Sequence, residues 1–209
     1  MLDPAALTLV AITDDLRDGI DGLVARAERA VAGGATMVQL RLKGIDARTE
    51  VEAARRLVAA TAVPVIVNDR ADVALAAGAA GVHLGADDLA VSAVRKFTGT
   101  DFIIGASVGG DTEVPFAAGA DYVGIGPVFG TATKADAGMA IGIDELARLA
   151  RACAPIPAVA IGGITAEQAG ALMARAGAAG VRGVAVVRAV FGNPAPDEAA
   201  RVLRLAMRT

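Results

Sequence analysis

Short runs of apolar, often β-branched residues alternate along the chain with longer runs of helical periodicity that are rich in Ala, Leu and Arg. The short runs predict eight strands, at residues 7–13, 37–42, 64–68, 81–84, 102–107, 122–126, 158–161 and 183–187. The longer runs predict a helix after each strand, at residues 19–32, 47–60, 71–77, 89–97, 112–118, 144–153, 166–176 and 197–207.

Eight strand-helix units in succession favour one parallel (β/α)8 barrel, a TIM barrel, that occupies residues 1–209 as a single domain. A doubly wound open sheet is the alternative, but such sheets usually have fewer strands. The first strand is also not followed by the Gly-x-Gly-x-x-Gly of a dinucleotide-binding fold. In a TIM barrel the active site lies at the carboxyl ends of the strands, so the residues that follow each strand are the candidates for chemistry.

The composition is that of a globular protein with a large aliphatic core, since 55% of the residues are hydrophobic and none is tryptophan. The apolar runs are much shorter than the ~20 residues of a membrane span, so we expect a soluble protein without a membrane partner. The net charge of −3, with both signs interspersed, argues against nucleic-acid binding. The start lacks a secretory signal pattern, which predicts a cytoplasmic location. The single Cys153 is predicted to be a core residue rather than a reactive thiol.

The second predicted strand carries polar residues at alternate positions, Gln39, Arg41 and Lys43. Residues two apart in a strand point to the same face, so an amide, a guanidinium and an ammonium share one side. On pattern alone, this side could equally be the wet face of an edge strand. In a barrel the row must point inward or towards the helices, and buried cations need an anionic partner. We therefore predict that the row points inward and climbs to the rim, with Lys43 nearest the rim carboxylates.

Two carboxylates, Asp69 and Asp88, follow the third and fourth predicted strands. Carboxylates at neighbouring strand ends form a hard oxygen site of the kind that Mg²⁺ prefers when substrate phosphates complete its coordination. They predict that magnesium and a diphosphate bind together. The alternative, which the positions also allow, is that each aspartate caps the helix that follows it.

A second anion site, for a phosphate, is predicted at the late strands. Gly162 and Gly163 follow the seventh strand and offer backbone N–H groups, and Arg188 follows the eighth. A simple Gly-Gly turn and a surface ion pair of Arg188 are the alternatives.

The loop after the sixth strand carries Thr131, Thr133 and Lys134 and is longer than a mere connection requires. Loops of this type often close over a ligand, and residues 130–138 are the segment for which we expect closure, with a solvated loop as the alternative. His83, the only histidine, lies between apolar neighbours, which favours a hydrogen-bonded core role over that of a general base.

Several phrases of the chain resemble those of the thiamine-phosphate synthases, a family of (β/α)8 barrels. The phrases follow the order of the family and cover nearly the whole chain, so together they are much more specific than any single motif. They are Gly-Gly-Ala-Thr-Met-Val-Gln-Leu-Arg-Leu-Lys at 33–43, Val-Asn-Asp-Arg-Ala-Asp at 67–72, Gly-Val-His-Leu-Gly at 81–85, Gly-Ile-Gly-Pro-Val-Phe at 124–129 with Thr-Ala-Thr-Lys at 131–134, and Ala-Ile-Gly-Gly-Ile at 160–164.

The resemblance implies that the chain couples hydroxymethylpyrimidine diphosphate to thiazole phosphate, giving thiamine phosphate and diphosphate. In the family, diphosphate leaves first, a pyrimidine-methyl cation forms, and the thiazole nitrogen then attacks. The resemblance also implies that Asp69 and Asp88 hold Mg²⁺ and that Ser107 lies beside the reacting pyrimidine. The residues implied to bind the pyrimidine diphosphate are Gln39, Arg41, Lys43, Asn68 and Lys134, and those for the thiazole phosphate are Thr131, Thr133 and Gly163, to which Val187 and Arg188 are added. Lys134, Ser107 and Lys43 are the predicted catalytic residues. The predicted partners are small molecules, and a homo-oligomer is left open.

Three positions depart from the family pattern. Ala86 replaces a glutamine, Arg188 replaces a serine, and the residues after Ser107 lack the usual His or Thr. Two other functions stay open: a thiazole tautomerase-like isomerase, and a non-catalytic protein that binds a thiazole or thiamine phosphate. The isomerase would need a histidine in the loop after the fifth strand, where this chain has Gly109 or Gly110.

Overall fold

The computed structural model describes residues 2–130 and 139–208. The strands within these ranges are β1 (Leu9–Ile12), β2 (Met37–Leu40), β3 (Val65–Asn68), β4 (Gly81–Leu84), β5 (Ile103–Val108), β6 (Tyr122–Ile125), β7 (Ala158–Ile161) and β8 (Val181–Val186). The α-helices are α1 (Gly19–Ala32), α2 (Ala47–Ala60), α3 (Ala71–Ala77), α4 (Val91–Thr98), α5 (Gly142–Ala152), α6 (Ala166–Ala176) and α7 (Pro196–Ala206). Short 3₁₀ helices occupy Pro4–Leu7, Val114–Ala117 and Gly177–Ala179.

The strands form one closed barrel in which each strand pairs in parallel with the next and β8 pairs with β1. The predicted (β/α)8 fold is therefore confirmed, and the open sheet is excluded because it would leave two unpaired edges. Since all the strands run in one direction, their carboxyl ends meet at one rim. The residues that follow the strands are thereby brought to a common mouth.

Alternate residues of the strands divide the core into two parts. Met37 and Ile66 belong to a cluster that fills the barrel interior, whereas Val38 and Leu40 belong to the larger cluster between the barrel and the helices. Gln39 shares the parity of Met37 and is only 4% exposed. The predicted inward direction of the polar row therefore holds for its first member.

Helix ends follow local chemistry. The Asp46 side chain accepts a hydrogen bond from the backbone N–H of Thr49 and caps α2. At the start of α6, Thr165 and Gln168 form a capping box. Gly78 ends α3 at a φ of 70°, a conformation that glycine adopts without a steric penalty.

The predicted helix at 112–118 is wrong, because this segment forms only the 3₁₀ helix Val114–Ala117. Pro115 lacks the N–H that a longer helix would need at this point. The chain also turns at Gly119, with a φ of 85°, directly before β6. Phe116 is left 71% exposed.

Several strand boundaries also differ by one or two residues from the predicted ones, and those of β2 and β8 are described here. β2 ends at Leu40, so Arg41 and Lys43 lie beyond its paired region. β8 begins at Val181 instead of 183, where its pairing with β7 has an irregularity at Ala158/Val159.

Cys153 is 5% exposed within the outer core, as predicted, and burial raises the pKa of its thiol. Within the described residues, none of the helices has the length and apolar character needed to cross a membrane.

Candidate functional site

The mouth of the barrel contains a close contact between a cation and a carboxylate. Lys43 Nζ donates a hydrogen bond to Asp69 Oδ2 over 2.6 Å. The two residues follow β2 and β3, which are neighbours in the barrel. The side chain of Lys43 is 59% exposed and that of Asp69 is 28% exposed, so the pair faces the open mouth. The structure thus brings the end of the polar row to one of the two predicted metal ligands.

Asp69 has a strained backbone. Its φ is 65°, and it is the one non-glycine residue with a positive φ in the described part of the chain. Its N–H donates to the carbonyl of His83 on β4 over 2.8 Å, which fixes the turn at the end of β3. Non-glycine residues in this conformation cluster at functional sites, because the surrounding structure must overcome their cost. The strain is a sign of function that the sequence alone did not give.

The carboxylates of Asp69 and Asp88 interact with each other. Burial acts to raise the pKa of Asp69, but hydrogen bonding to Lys43 and Asp88 outweighs it and keeps that pKa below its usual value. Burial and then Asp69 raise the pKa of Asp88, against the hydrogen bond that Asp88 Oδ2 accepts from the Gly85 N–H at 2.7 Å. Two carboxylates so close together favour one shared proton or one bound cation.

The capping alternative for these aspartates is wrong. The residue that precedes α3 is Arg70 and the residue that precedes α4 is Ala90, and neither helix has a side-chain cap. Asp88 instead turns back to Gly85, whose backbone N–H donates to Asp88 Oδ2.

The two aspartates fit Mg²⁺. They supply hard oxygen ligands at one point of the mouth, with one carboxylate already ionised beside Lys43. Among residues 2–130 and 139–208, no group of three or more His, Cys, Asp and Glu residues could hold a metal ion. Mg²⁺ commonly takes only one or two carboxylates from the protein and completes its octahedron with phosphate oxygens and water.

Thr13, which is fully buried, holds the backbone of the other two members of the polar row, Gln39 and Arg41. The Thr13 hydroxyl accepts a hydrogen bond from the Arg41 N–H over 2.9 Å and donates to the Arg41 carbonyl over 3.3 Å. The Thr13 N–H donates to the carbonyl of Gln39. Arg41 is half-buried and Gln39 is buried, so the row rises from the barrel interior to the rim as predicted.

Ser107 and Asn68 complete this side of the mouth. Asn68 is half-buried at the end of β3 and pairs in register with His83 of β4. Ser107 Oγ lies 3.1 Å from His83 Nε2. His83 is 9% exposed and hydrogen bonded inside the barrel, which agrees with the core role predicted for it.

Glycines form the opposite side of the mouth. Gly162 and Gly163 have φ values of 100° and 64°, and a Cβ on Gly163 would lie 2.5 Å from the carbonyl oxygen of Gly130. Phe129 donates its N–H to the carbonyl of Gly162. The segment after β6 therefore lies directly on the turn after β7, and the two glycines are required by conformation and by space.

Val187 and Arg188 follow β8, beside this glycine turn. Val187 is half-buried and packs on the interior cluster, and Arg188 is exposed. No salt bridge joins Arg188 to any residue in 2–130 or 139–208, so the surface ion-pair alternative has no support there.

The structure does not describe residues 131–138. Nearly all of the predicted closing loop at 130–138 therefore lies outside the described residues, and so do the predicted site residues Thr131, Thr133 and Lys134.

Glu50 is a buried carboxylate near the same mouth, on the first turn of α2. It is 5% exposed, and burial raises its pKa, although the charge of Arg70 acts in the opposite direction. A pKa raised by folding means that the folded state binds the Glu50 proton more tightly than the unfolded state does. The resulting stabilisation is present at acidic pH and is lost as the pH rises through the folded-state pKa.

The variant Glu50→Gln should therefore increase the free energy of unfolding at neutral pH, because it removes a buried charge and keeps the shape of the side chain. The difference from the unchanged protein should shrink at about pH 4, where glutamate is largely protonated. Urea denaturation at both pH values measures this effect. Glu52→Gln, at an exposed position of the same helix, is the control. An equal gain at both pH values would show that charge is not the cause.

Sequence reasoning missed three polar residues in or near this site: Thr13, Glu50 and Tyr122. Thr13 and Glu50 have no signal in the sequence, because they are polar residues at ordinary strand and helix ends. Tyr122, the only tyrosine, could have been noticed because it begins a strand rich in small residues. Its hydroxyl lies 2.9 Å from His83 Nδ1 in the barrel interior.

The chain is similar to known proteins over nearly its whole length. A family model described as thiamine monophosphate synthase matches residues 9–190. The thiamine-phosphate synthase of Azorhizobium caulinodans is 45% identical over 214 aligned positions, which cover 100% of this chain and 99% of that protein. The corresponding protein of Xanthobacter autotrophicus is 44% identical, with coverages of 99% and 98%. A solved thiamine phosphate pyrophosphorylase from Pyrococcus furiosus superposes with a TM-score of 0.85 at 36% identity and covers 98% of this chain and 97% of its own.

Proposed function

The chain belongs to the thiamine-phosphate synthase family and is a transferase of thiamine biosynthesis, and on this premise we propose that it joins hydroxymethylpyrimidine diphosphate to thiazole phosphate by a dissociative, magnesium-assisted substitution. Residues 1–209 act as one barrel domain in this proposal. The cytoplasmic location and a homo-oligomeric state stay predictions.

One observation carries the proposed mechanism: the ammonium of Lys43 lies 2.6 Å from the carboxylate of Asp69, beside Asp88. A site with cations and paired carboxylates at one point can take a diphosphate together with a divalent cation, because each charge in the complex then has an opposite neighbour. Mg²⁺ held by Asp69 and Asp88 would neutralise charge on the departing diphosphate.

The cationic side of the mouth binds and orients the diphosphate. Arg41 offers a planar fork of donors to phosphate oxygens, and Lys43 offers a mobile point charge. Gln39 and Asn68 add neutral donors below and beside them, at buried and half-buried positions. Donors fixed before the reaction stabilise the charge that develops as the bond to the diphosphate breaks. Lys134, implied by the resemblance to act here, lies outside the described residues.

The glycine side of the mouth is suited to the second substrate. Backbone N–H groups around Gly163, at the start of the turn into α6, can donate to a phosphate without any side chain in the way. Arg188 is exposed beside this turn and can add a charged donor. Val187 can contact an apolar part of the thiazole. Thr131 and Thr133 belong to this side of the mouth in the proposal. In the sequence they follow Gly130, which contacts the glycine turn.

The cationic side and the glycine side of the mouth are the two half-sites of the proposal. They suit the proposed reaction because they place the diphosphate and the phosphate on opposite sides of the mouth. The described groups assigned to the diphosphate follow β2 to β5, and those assigned to the phosphate follow β6 to β8, so the reacting carbon and nitrogen can meet over the barrel axis. Lys134, which follows β6 in the sequence, is the one diphosphate residue of the proposal from the other half of the chain. The attacking nitrogen has no proton to lose, and accordingly the proposal needs no general base. Positioning and electrostatic stabilisation supply the rate enhancement.

The variant Lys43→Met should weaken the binding of the pyrimidine diphosphate by about 10- to 100-fold, the usual cost of a lost hydrogen bond between charged groups. Methionine keeps the length of the side chain and removes its charge. The affinity for thiazole phosphate should change little, since Lys43 lies on the other side of the mouth. Titration calorimetry with each substrate separately measures both affinities.

Lys96→Met is the matched control, because Lys96 is exposed in the last turn of α4 and away from the mouth. Equal losses of both affinities in Lys43→Met would contradict the assignment of the two half-sites.

The overall reaction is tested by incubation with both substrates and Mg²⁺. A synthase releases diphosphate, whereas an isomerase or a binding protein does not. The absence of a histidine from the stretch Gly109–Asp111 after β5 favours the synthase over the isomerase. No diphosphate above background would reject the proposed function.

A further inference from the structure

Three polar side chains form a chain of hydrogen bonds through the barrel interior, from its middle to its mouth. Tyr122 Oη lies 2.9 Å from His83 Nδ1, and His83 Nε2 lies 3.1 Å from Ser107 Oγ. Tyr122 is 1% exposed, His83 is 9% exposed and Ser107 is half-buried. The series therefore starts in the buried interior and ends at the mouth.

The barrel leaves space for this series by means of two glycines. A Cβ on Gly105 would lie 2.3 Å from Tyr122 Cζ and 2.5 Å from His83 Nδ1. A Cβ on Gly124 would lie 3.1 Å from His83 Cε1. Any side chain at Gly105 would displace the two rings that the hydrogen bond joins, so the glycines at these positions in β5 and β6 fix where the imidazole sits.

The direction of the hydrogen bonds follows from the burial of Tyr122. Burial raises the pKa of its phenol, which accordingly keeps its proton at neutral pH. Within the described part of the chain, the Tyr122 hydroxyl lies within hydrogen-bonding distance of the His83 ring. A buried O–H without an acceptor is costly, so Tyr122 donates to His83 Nδ1. A neutral imidazole that accepts at Nδ1 carries its proton on Nε2.

We propose that Tyr122 and His83 are positioning residues that make Ser107 a hydrogen-bond donor to the pyrimidine diphosphate. His83 Nε2–H donates to Ser107 Oγ, so the serine hydroxyl hydrogen is turned away from the imidazole and towards the mouth. Its partner is an acceptor atom of the bound substrate. With the opposite tautomer, Ser107 would donate to His83 and could only accept from the substrate.

The inference about substrate rests on the proposed function, whereas the tautomer of His83 does not. The first test therefore needs no substrate. His83 is the only histidine in the sequence, so a protein without a histidine tag, labelled with ¹⁵N-histidine, gives one imidazole in a long-range ¹⁵N–¹H spectrum. We expect a protonated Nε2 and an unprotonated Nδ1. A protonated Nδ1, or an averaged mixture of tautomers, would overturn the inference.

The variant Tyr122→Phe removes the hydroxyl and keeps the ring. We expect the His83 spectrum to change to a mixture or to the opposite tautomer, and an unchanged spectrum would overturn the role of Tyr122. Thr36→Val is the control for the loss of a half-buried hydroxyl, since the Thr36 hydroxyl bonds to the carbonyl of Ala6 towards the opposite end of the barrel. That variant should lower stability and leave the tautomer as it is.

Turnover in a double-mutant cycle then tests the effect on Ser107. Tyr122→Phe should lower kcat about fivefold, the equivalent of one hydrogen bond, with a smaller change in KM. In a Ser107→Ala background the same substitution should have almost no effect on kcat. A fivefold loss in both backgrounds, or no loss in either, would overturn the positioning role. If the unchanged protein releases no diphosphate, the proposed function fails while the spectrum still decides the tautomer.

Discussion

Replacement of Asp69 by Asn should lower the rate of magnesium-dependent diphosphate release by about 100- to 1,000-fold, the range for loss of one preorganised electrostatic group. The substitution removes the negative charge that Lys43 contacts at 2.6 Å and that we assign to Mg²⁺. It also leaves Asp88 as the one acidic ligand. The folded state should survive, because asparagine tolerates the positive φ of 65° found at this position.

Steady-state diphosphate release at saturating Mg²⁺ gives the rate, and thermal unfolding with and without Mg²⁺ gives the loss of metal binding. Asp72→Asn is the matched control, since the Asp72 carboxylate, in the first turn of α3, is 68% exposed and pairs with Arg70, the residue directly before that helix. It should keep both the rate and the response to Mg²⁺. A normal rate in Asp69→Asn would remove Asp69 from the metal site.

The barrel and its mouth could be predicted because they depend on features that a sequence displays directly. The strand and helix periods differ, and eight successive units leave little choice of topology. Once the topology is parallel, every residue after a strand shares one rim. For this reason Lys43 and Asp69, 26 positions apart, could be expected near each other, and the structure places them in contact.

The interior series could not be predicted, because it depends on the stagger between neighbouring strands. His83 is in register with Gly105, and Gly105 is in register with Tyr122. A shift of one residue in either pairing would turn these side chains to the other face of the sheet. Nothing in the sequence states that register, and an isolated histidine among apolar residues only indicates that it is buried.

The wrong helix at 112–118 and the strain at Asp69 have a similar cause. In both cases the conformation is set by the surroundings. The carbonyl of His83 holds Asp69 in a conformation that aspartate by itself rarely adopts. At Val114–Ala117 a proline and the nearby start of β6 limit a helical pattern to one short turn. Local propensity is a weak prior where tertiary contacts decide.

The other large effect is expected on the opposite side of the mouth, where Gly163→Ala should lower kcat/KM for thiazole phosphate by about 100-fold, as expected for a displacement of about 1 Å. The Cβ would lie 2.5 Å from the Gly130 carbonyl oxygen and 3.0 Å from the carbonyl carbon of Phe129. These are backbone atoms, so the β6 and β7 segments must move apart. The φ of 64° adds a cost of about 1–2 kcal/mol for a residue with a side chain.

Steady-state kinetics at varied concentrations of thiazole phosphate measure the loss of kcat/KM. Urea denaturation of the same variant measures the cost to the stability of the fold. Gly177→Ala is the control, because Gly177 has an ordinary helical φ of −58° and open space around its Cβ position. The affinity of Gly163→Ala for the pyrimidine diphosphate should be almost unchanged, since β2 to β5 do not take part in the clash. Loss of both affinities to the same degree would mean that the two sides of the mouth move together and are not separate half-sites.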